Sequence, residues 1–406
     1  MITDPEILKH LMEQGSLLPK EEMLEIAQQR GNLFIGIPKE TSFQERRVAL
    51  VPDTVSVLVA NGHRVRVEKG CGEGSNFSDR DYSEAGAEIC TKKEVFESDI
   101  IFKVAPPSEE EVELMKGNQT LISALQISIQ PKKILKMLMD KKMTAIAWDY
   151  IRDESGVFPV VRTLGEIAGT TSVLVAGELL STFGDGKGVM LGGIAGVQPA
   201  EVVVIGAGTV GEYATRAALG LGASVKVFDN SLFKLRRLQN SLGTRVYTSV
   251  IQPKVLAKAL MRCDVAIGAL RAPLGRTPCV VTEEMVQQMK DGSVVVDVSI
   301  DQGGCFETSS VTNHDHPTYD RHGVIHYCVP NIASRVSRTA SFALSNIFSP
   351  ILVDMGDKGG CRELIGRDVG FRSGVYMFKG VLTSEVLGKV FDLKYKDIEL
   401  LLMGIK

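Results

Sequence analysis

The sequence predicts an α/β protein made of two open, mostly parallel sheets. Three observations carry that prediction. Short apolar strands alternate with helical stretches from Leu33 to Ile151, and a second alternation of the same kind runs from Glu201 to Val329. A long helical segment, residues 163–184, separates the two runs, and a second one leads out of the later run from Asn331 onward. A chain of 406 residues has room for two or three domains, and 44% hydrophobic residues supply their cores.

Taken in order, residues 1–30 read as a polar helical extension in two pieces, with Gly15 ending the first and Pro19 placed at the first turn of the second. LFIGI (33–37) is a strand. The polar loop PKETSFQERRVAL follows, then the helix VPDTVSVLVANG closed by Gly62, then the alternating strand HRVRVEKG. Next come the helix DRDYSEAGA, the strand DIIFKV broken by APPS, the segments EEEVELMKGN and TLISAL, the helix PKKILKMLMDKK and the strand TAIAWDYI. GKGVMLGGIAGVQPAE is a glycine-rich approach to the second run. That run contains strands at DVAIGAL, SVVVDVSI and VIHYCV, and helices at VLAKALM and EEMVQQMKDG. The tail from 358 to 406 shows more helical patterns.

Composition excludes several function classes. A net charge of −3 provides no basic field for nucleic acid. Seven scattered cysteines, without CxxC or a His/Cys cluster, fit a reducing cytoplasm and no structural zinc. His314 and His316 have metal-like spacing, but no third ligand is placed by sequence, so no metal is expected. No 18-residue apolar run predicts a membrane span. Asp4, Glu6 and Glu13 are unlike a signal peptide.

The most informative stretch is EVVVIGAGTVGEYATRAALGLGASVKVFD, 201–229. Its β-branched run ends in Gly206, Gly208 and Gly211, a GxGxxG turn that opens a helix near Thr209 and Val210. The first glycine allows the tight turn, the second lets the backbone approach a pyrophosphate, and the third lets helix and sheet pack closely. The helix start would direct its N–H groups at that phosphate. The following strand ends at Asp229, where a carboxylate accepts the ribose hydroxyls of NAD and repels the 2′-phosphate of NADP. The cofactor expected is therefore NAD. Lys234, five residues further on, and the pair Arg236 and Arg237 are cations beside that position. Arg271 and Arg276 read as surface arginines on a loop near the expected dinucleotide.

Long motifs in a fixed order resemble the alanine dehydrogenase family, which also includes the NAD-binding component of proton-translocating transhydrogenase. They are IGIPKE (35–40), ERRVALVPDTV (45–55), GAGTVG (206–211), SVVVDVSIDQGG (293–304), HDHPTY (314–319) and VPNIASRVSRTAS (329–341). DQGG and HDHPTY favour the dehydrogenase branch. The resemblance implies two Rossmann-like open-sheet domains, with the nucleotide-binding domain (163–335) inserted into a discontinuous substrate domain (31–162 and 336–406). It also implies oxidative deamination of L-alanine or a related amino acid to the 2-oxo acid, a small-molecule partner, and a homo-oligomer, dimeric or hexameric.

Residue by residue, the resemblance makes Arg47 the holder of the substrate carboxylate and places Asp301 in the active site. Asn331 and Arg338 match positions near the nicotinamide, and Lys234 matches a basic residue near the adenosine ribose. Two positions depart from the pattern. The family's substrate-binding lysine is Ala105, and its catalytic histidine is Gln126. Lys103, two residues before Ala105, lies on the same side of a strand and is the candidate to reach the pocket instead. Glutamine cannot accept a proton at physiological pH, so alanine oxidation is expected to be slow or absent. The alternative is an NAD-binding protein without turnover, like the transhydrogenase component, which also lacks the lysine and histidine. A third departure is Gly165, where the family has a serine near the phosphate or ribose.

Overall fold

The computed structural model describes residues 31–126, 131–272 and 276–403. The extension at 1–30 lies outside the described residues, as does part of the segment that follows Gln126. The chain divides into two compact units. One comprises the chain up to Val160 together with Ser341 onward, and the other Val161–Ala340.

The first unit contains β1 (Phe34–Ile37), β2 (Arg64–Glu68), β3 (Glu88–Cys90), β4 (Ile100–Phe102), β5 (Thr120–Ser123) and β6 (Thr144–Ala147), and later β14 (Val375–Phe378) and β15 (Val381–Leu382). The second contains β7 (Glu201–Ile205), β8 (Ser224–Phe228), β9 (Tyr247–Ser249), β10 (Val265–Gly268), β11 (Val294–Asp297), β12 (Thr318–Arg321) and β13 (Val324–Tyr327). The sheet orders are β15-β14-β6-β5-β4-β1-β2-β3 and β12-β13-β11-β10-β7-β8-β9. Both sheets are parallel except at one edge, where β14 and β15, or β12, join antiparallel. In each sheet the winding direction reverses once, between β1 and β4 and between β7 and β10. A crevice opens at such a point because the loops on its two sides leave in opposite directions.

Strand side chains alternate between two buried faces. Val202, Val204, Val225, Val227, Val265 and Ile267 face one core, under the helices Pro159–Leu180 and Thr209–Gly220. Val203, Ile205, Phe228 and Ala266 face the other, under Pro253–Leu260 and Glu283–Gln287. Burial on both faces explains why these strands read as continuous apolar runs. In the first unit, Leu135 and Leu138 of the amphipathic helix Lys132–Asp140 pack on Leu121 and Ala145. On the other face Phe102 meets Phe348 edge-on, with centroids 4.7 Å apart. Among the described residues no helix is long and apolar enough to cross a membrane.

Two features depart from the expected elements. The tail expected to be helical contributes the β14–β15 hairpin, because VYMF and VL can bury against β6 once that neighbour exists. An element not expected from sequence is the edge strand β12, which takes up the Thr318–Tyr319 end of HDHPTY, leaves His314–His316 in a bend, and pairs with β13 through the turn His322–Gly323.

Candidate active site

In the first unit, the loops after β1, β4 and β5 carry the residues singled out from sequence, all at the carboxyl edge of the sheet. Arg47 lies in the loop after β1 and is 4% exposed. Its guanidinium donates from Nε and Nη2 to the two carboxylate oxygens of Glu45, at 2.8 and 2.6 Å. Such a fork-to-fork pair fixes the guanidinium plane. The RVAL backbone is clamped from the helix Ser337–Asp357. The Val48 N–H donates to Ser341 Oγ at 2.9 Å and the Val51 N–H to Ser345 Oγ at 3.0 Å. Ser75 Oγ adds a bond to the Arg46 carbonyl at 2.8 Å.

Glu40 is the hub of the switch point. It leaves β1 and accepts the backbone N–H groups of Val104 (2.6 Å) and Ala105 (3.3 Å) after β4. Lys103 Nζ lies 3.3 Å from Glu40 and 2.8 Å from Glu111, with its side chain fully buried. Thr41 Oγ1 also donates to Glu111, at 3.0 Å. Burial raises the Glu40 carboxyl above its ordinary range, against the pull of Lys103 and the Val104 N–H. Burial also works against the charge on Lys103, but Glu40 and Glu111 outweigh it and hold its pKa above the usual lysine value. Lys103 is therefore sealed in a buried ion cluster. An ammonium on an apolar sheet needs such partners, because an unpaired buried charge is strongly disfavoured.

Ala105 is buried. Gln126 is half-buried and has a left-handed backbone, φ 45°, a conformation that costs a non-glycine residue energy and concentrates at functional sites. Its neighbour Leu125 donates its N–H to Asp149 Oδ1 at 3.2 Å. The structure thus gathers Lys103, Glu40 and the Ala105 backbone, while Arg47 and Gln126 stand on separate loops of the same edge.

In the second unit the three fingerprint glycines have three separate physical reasons. Gly206 has φ 117°, and a Cβ there would collide with the Ala269 carbonyl across the switch point. A Cβ on Gly211 would collide with the Gly206 carbonyl. A Cβ on Gly208 would meet nothing within 4 Å. Protein packing therefore demands the outer two glycines and leaves the middle one in open space, which a pyrophosphate approaching the loop would use. Gly208 is the N-cap of the helix Thr209–Gly220 and no side chain caps it. These residues fit a dinucleotide.

Asp229 is 5% exposed. Its Oδ2 accepts the Ala207 N–H and its Oδ1 the Ser231 N–H, both at 2.7 Å. One carboxylate thereby ties the glycine loop to the end of β8, and its four lone-pair positions leave acceptor capacity beyond these two bonds. Lys234 is exposed on the first turn of the helix Leu232–Leu242. Arg237, one turn further on, donates to the Ala207 carbonyl at 3.3 Å and so lies against the loop itself.

Asp301 lies in a single-turn helix, Val298–Gln302, after β11, and is exposed. Its Oδ1 accepts the N–H of Asn331, which follows β13 with a left-handed φ of 56°, at 2.9 Å. The two sequence candidates are thus neighbours. The turn is held by Asp297, which accepts from Ser299 N, Cys305 N and Ser309 Oγ at 3.0, 2.8 and 2.7 Å. Gln302 latches it to the loop after β10 through both polar groups of Ala272. Arg276 donates to the Gly303 carbonyl of the same turn at 3.3 Å. Arg338 is exposed near the start of its helix. Among the described residues no group of three His, Cys, Asp or Glu could hold a metal ion.

Sequence reasoning missed Glu40, Glu45, Ser341 and Asp297. Each stands inside a quoted motif, but the partners of Glu40 and Ser341 lie far along the chain, Asp297 mainly holds backbone, and Glu45 pairs with an arginine that read as reaching for a ligand.

Comparison with known proteins gives the chain a family. Residues 36–168 match the family model "Alanine dehydrogenase/PNT, N-terminal domain" and residues 172–385 match "Alanine dehydrogenase/PNT, C-terminal domain". An alanine dehydrogenase of Methanococcus maripaludis is 40% identical over 370 residues, covering 90% of this chain and 99% of that protein. A solved L-alanine dehydrogenase superposes with a TM-score of 0.84 at 36% identity, covering 88% of this chain and 99% of its own. A transhydrogenase from Sinorhizobium meliloti superposes with a TM-score of 0.74 at 25% identity, covering 87% and 99%. The chain belongs to the alanine dehydrogenase/pyridine nucleotide transhydrogenase family.

Proposed function

We propose that this protein is an NAD-dependent dehydrogenase that deaminates a small L-amino acid, alanine or a near relative, to its 2-oxo acid. The observation that carries the cofactor half is the glycine loop, where the middle glycine alone faces open space. Asp229 favours NAD over NADP, because its carboxylate accepts ribose hydroxyls and repels a phosphate. When bound, the nicotinamide supplies the hydride acceptor, so amino acid, NAD⁺ and water give 2-oxo acid, ammonium, NADH and a proton.

The other steps fall to this chain's own side chains. Arg47, its plane set by Glu45, holds the substrate carboxylate. Asp301, oriented through the Asn331 N–H, serves substrate positioning or proton relay. Lys103 acts as a positioning charge that keeps Glu40 on the Val104–Ala105 backbone. Gln126 stands where a base is needed and can only hydrogen-bond, so turnover with alanine is slow. Lys234 and Arg338 are proposed at the adenosine and nicotinamide ends of the cofactor. A cytoplasmic homo-oligomer is the proposed working form.

The test is a screen of amino acids with NAD and NADP, followed by NADH or NADPH absorbance, with binding measured in parallel. NAD-dependent turnover on at least one small amino acid supports the reading. Tight NAD binding without turnover across the whole panel would replace it with the non-catalytic alternative.

A further inference from the structure

The amino edge of the eight-stranded sheet, opposite Glu40 and Arg47, holds a cavity of about 170 Å³. Thr120 and Thr144, the first residues of β5 and β6, form its floor, with Cys361 beside them. Lys142, Lys379 and Arg362 converge on it from three separate segments, and no carboxylate is among its lining residues. None of the three cations forms an ion pair with a carboxylate among the described residues. Cys361 adds no negative charge, since burial pushes its thiol up to about 12 against the opposing hydrogen bond with Thr120. Glu363, on the same helix, is not among the lining residues, although its charge reaches Cys361 and helps to raise that thiol.

The backbone supplies an independent argument. Lys142 follows the helix Lys132–Asp140 with φ 53°. Its N–H bonds the Met139 carbonyl and the Met143 N–H bonds that of Leu138, so Lys142 holds the left-handed position that closes a helix and is most often glycine. Lys379, φ 47°, and Gly380, φ 80°, form the two-residue turn between β14 and β15, whose first position is most often asparagine or glycine. The two turns abut, because a Cβ on Gly380 would come within 2.9 Å of Lys142 Cα. Local turn chemistry therefore disfavours lysine at two neighbouring positions, and both lysines line the same cavity. Strain of this kind that persists in a fold points to use.

We propose that this cavity binds a phosphate group, free or as the monoester of a small molecule, with Lys142, Lys379 and Arg362 as charge partners and the Thr120 and Thr144 hydroxyls as donors. Three cations suit a dianion, and the volume admits a phosphate with a few further atoms. The site is separate from the glycine loop and from Arg47, and its existence does not depend on the function proposed above.

The test uses the full chain, with inorganic phosphate and glycerol 3-phosphate as probes against sodium chloride at matched ionic strength. Calorimetric binding and thermal unfolding are both read. Lys142→Gly and Lys379→Gly are informative variants because glycine relieves the left-handed backbone, so each should fold at least as well as the parent. Each should weaken phosphate binding roughly tenfold or more, the loss of one charge-assisted hydrogen bond, and the double variant should abolish this component. Lys93→Ala, an exposed lysine elsewhere, should change nothing. Tighter binding of the ester identifies a monoester ligand, and equal binding identifies free phosphate; either supports the site. Stabilisation no greater than that from chloride, or phosphate binding unchanged in the double variant, overturns it.

Discussion

Lys103→Met tests the buried ion cluster directly. Removing the ammonium leaves Glu40 and Glu111, with side chains 6% and 0% exposed, facing each other without a cation. Breaking a buried pair by deleting one partner costs about 3–5 kcal/mol. For a unit of this size each kcal/mol moves the melting temperature by roughly 2–4 °C, so a fall of roughly 6–20 °C is expected. The loss has a definite pH dependence. Glu40 already binds its proton more tightly in the folded than in the unfolded state. Stability from such a raised carboxyl is fully present below the ordinary carboxylate pKa and is lost as pH rises through the folded value. Lys103 is one of the charges that lowers the Glu40 pKa, so its removal extends this behaviour. Thermal unfolding followed by circular dichroism should show the full deficit at about pH 8 and a smaller one at about pH 5. Glu40→Gln combined with Lys103→Met should recover part of it, because one buried charge is gone. A variant that melts within about 2 °C of the parent at the higher pH, or that loses the same amount at both, would refute the cluster as a paired, charge-coupled unit.

Four further outcomes follow from the same geometry. Gly208→Ala should leave stability within about 0.5 kcal/mol while weakening NAD binding in calorimetry, whereas Gly211→Ala should destabilise the second unit in a melt, since its Cβ meets the Gly206 carbonyl. Gly165→Ser should fold normally, because its Cβ would lie 3.5 Å from Thr209 in ordinary contact, and should lower the dissociation constant for NAD if a hydroxyl there meets the cofactor. Introducing Ala105→Lys with Gln126→His should raise alanine oxidation in a steady-state assay by about 10²–10⁴-fold, the usual contribution of a positioned base; no gain would show that another group already serves. Asp229→Ala should cut the preference for NAD over NADP in kcat/KM and also lower the melting temperature, because it removes the acceptor for the Ala207 and Ser231 N–H groups.

The parts of this fold that could be read from sequence are those fixed by local chemistry. The run of Val202 to Ile205 declares a strand buried on both faces, and Gly206 and Gly211 are demanded by clashes a few residues away. Long-range partners were not legible. Nothing near Lys103 in sequence announces Glu40, 63 residues earlier and its ion-pair partner. Arg47 looked poised for a ligand alone, yet its neighbour Glu45 forks onto it and Ser341, near the other end of the chain, clamps the following residue. VYMF and VL gave no clean alternation, because their strand character comes from the edge of β6 and not from their own pattern. The position of Asp229 at a strand end was legible and made it a candidate, but its grip on the glycine loop was not.

The pairing of β14 with β6 also bears on how the protein is made. Val375 sits opposite Ile146, so the edge of β6 stays uncovered while all of the intervening chain is synthesised, on the order of 10–50 s at ribosomal rates. The inserted unit can complete its own sheet during that interval, whereas the first cannot. A nascent chain stalled after Ala340 should therefore present one finished module and one with an open, apolar edge, the kind of surface that holdase chaperones capture and that aggregates when they are scarce.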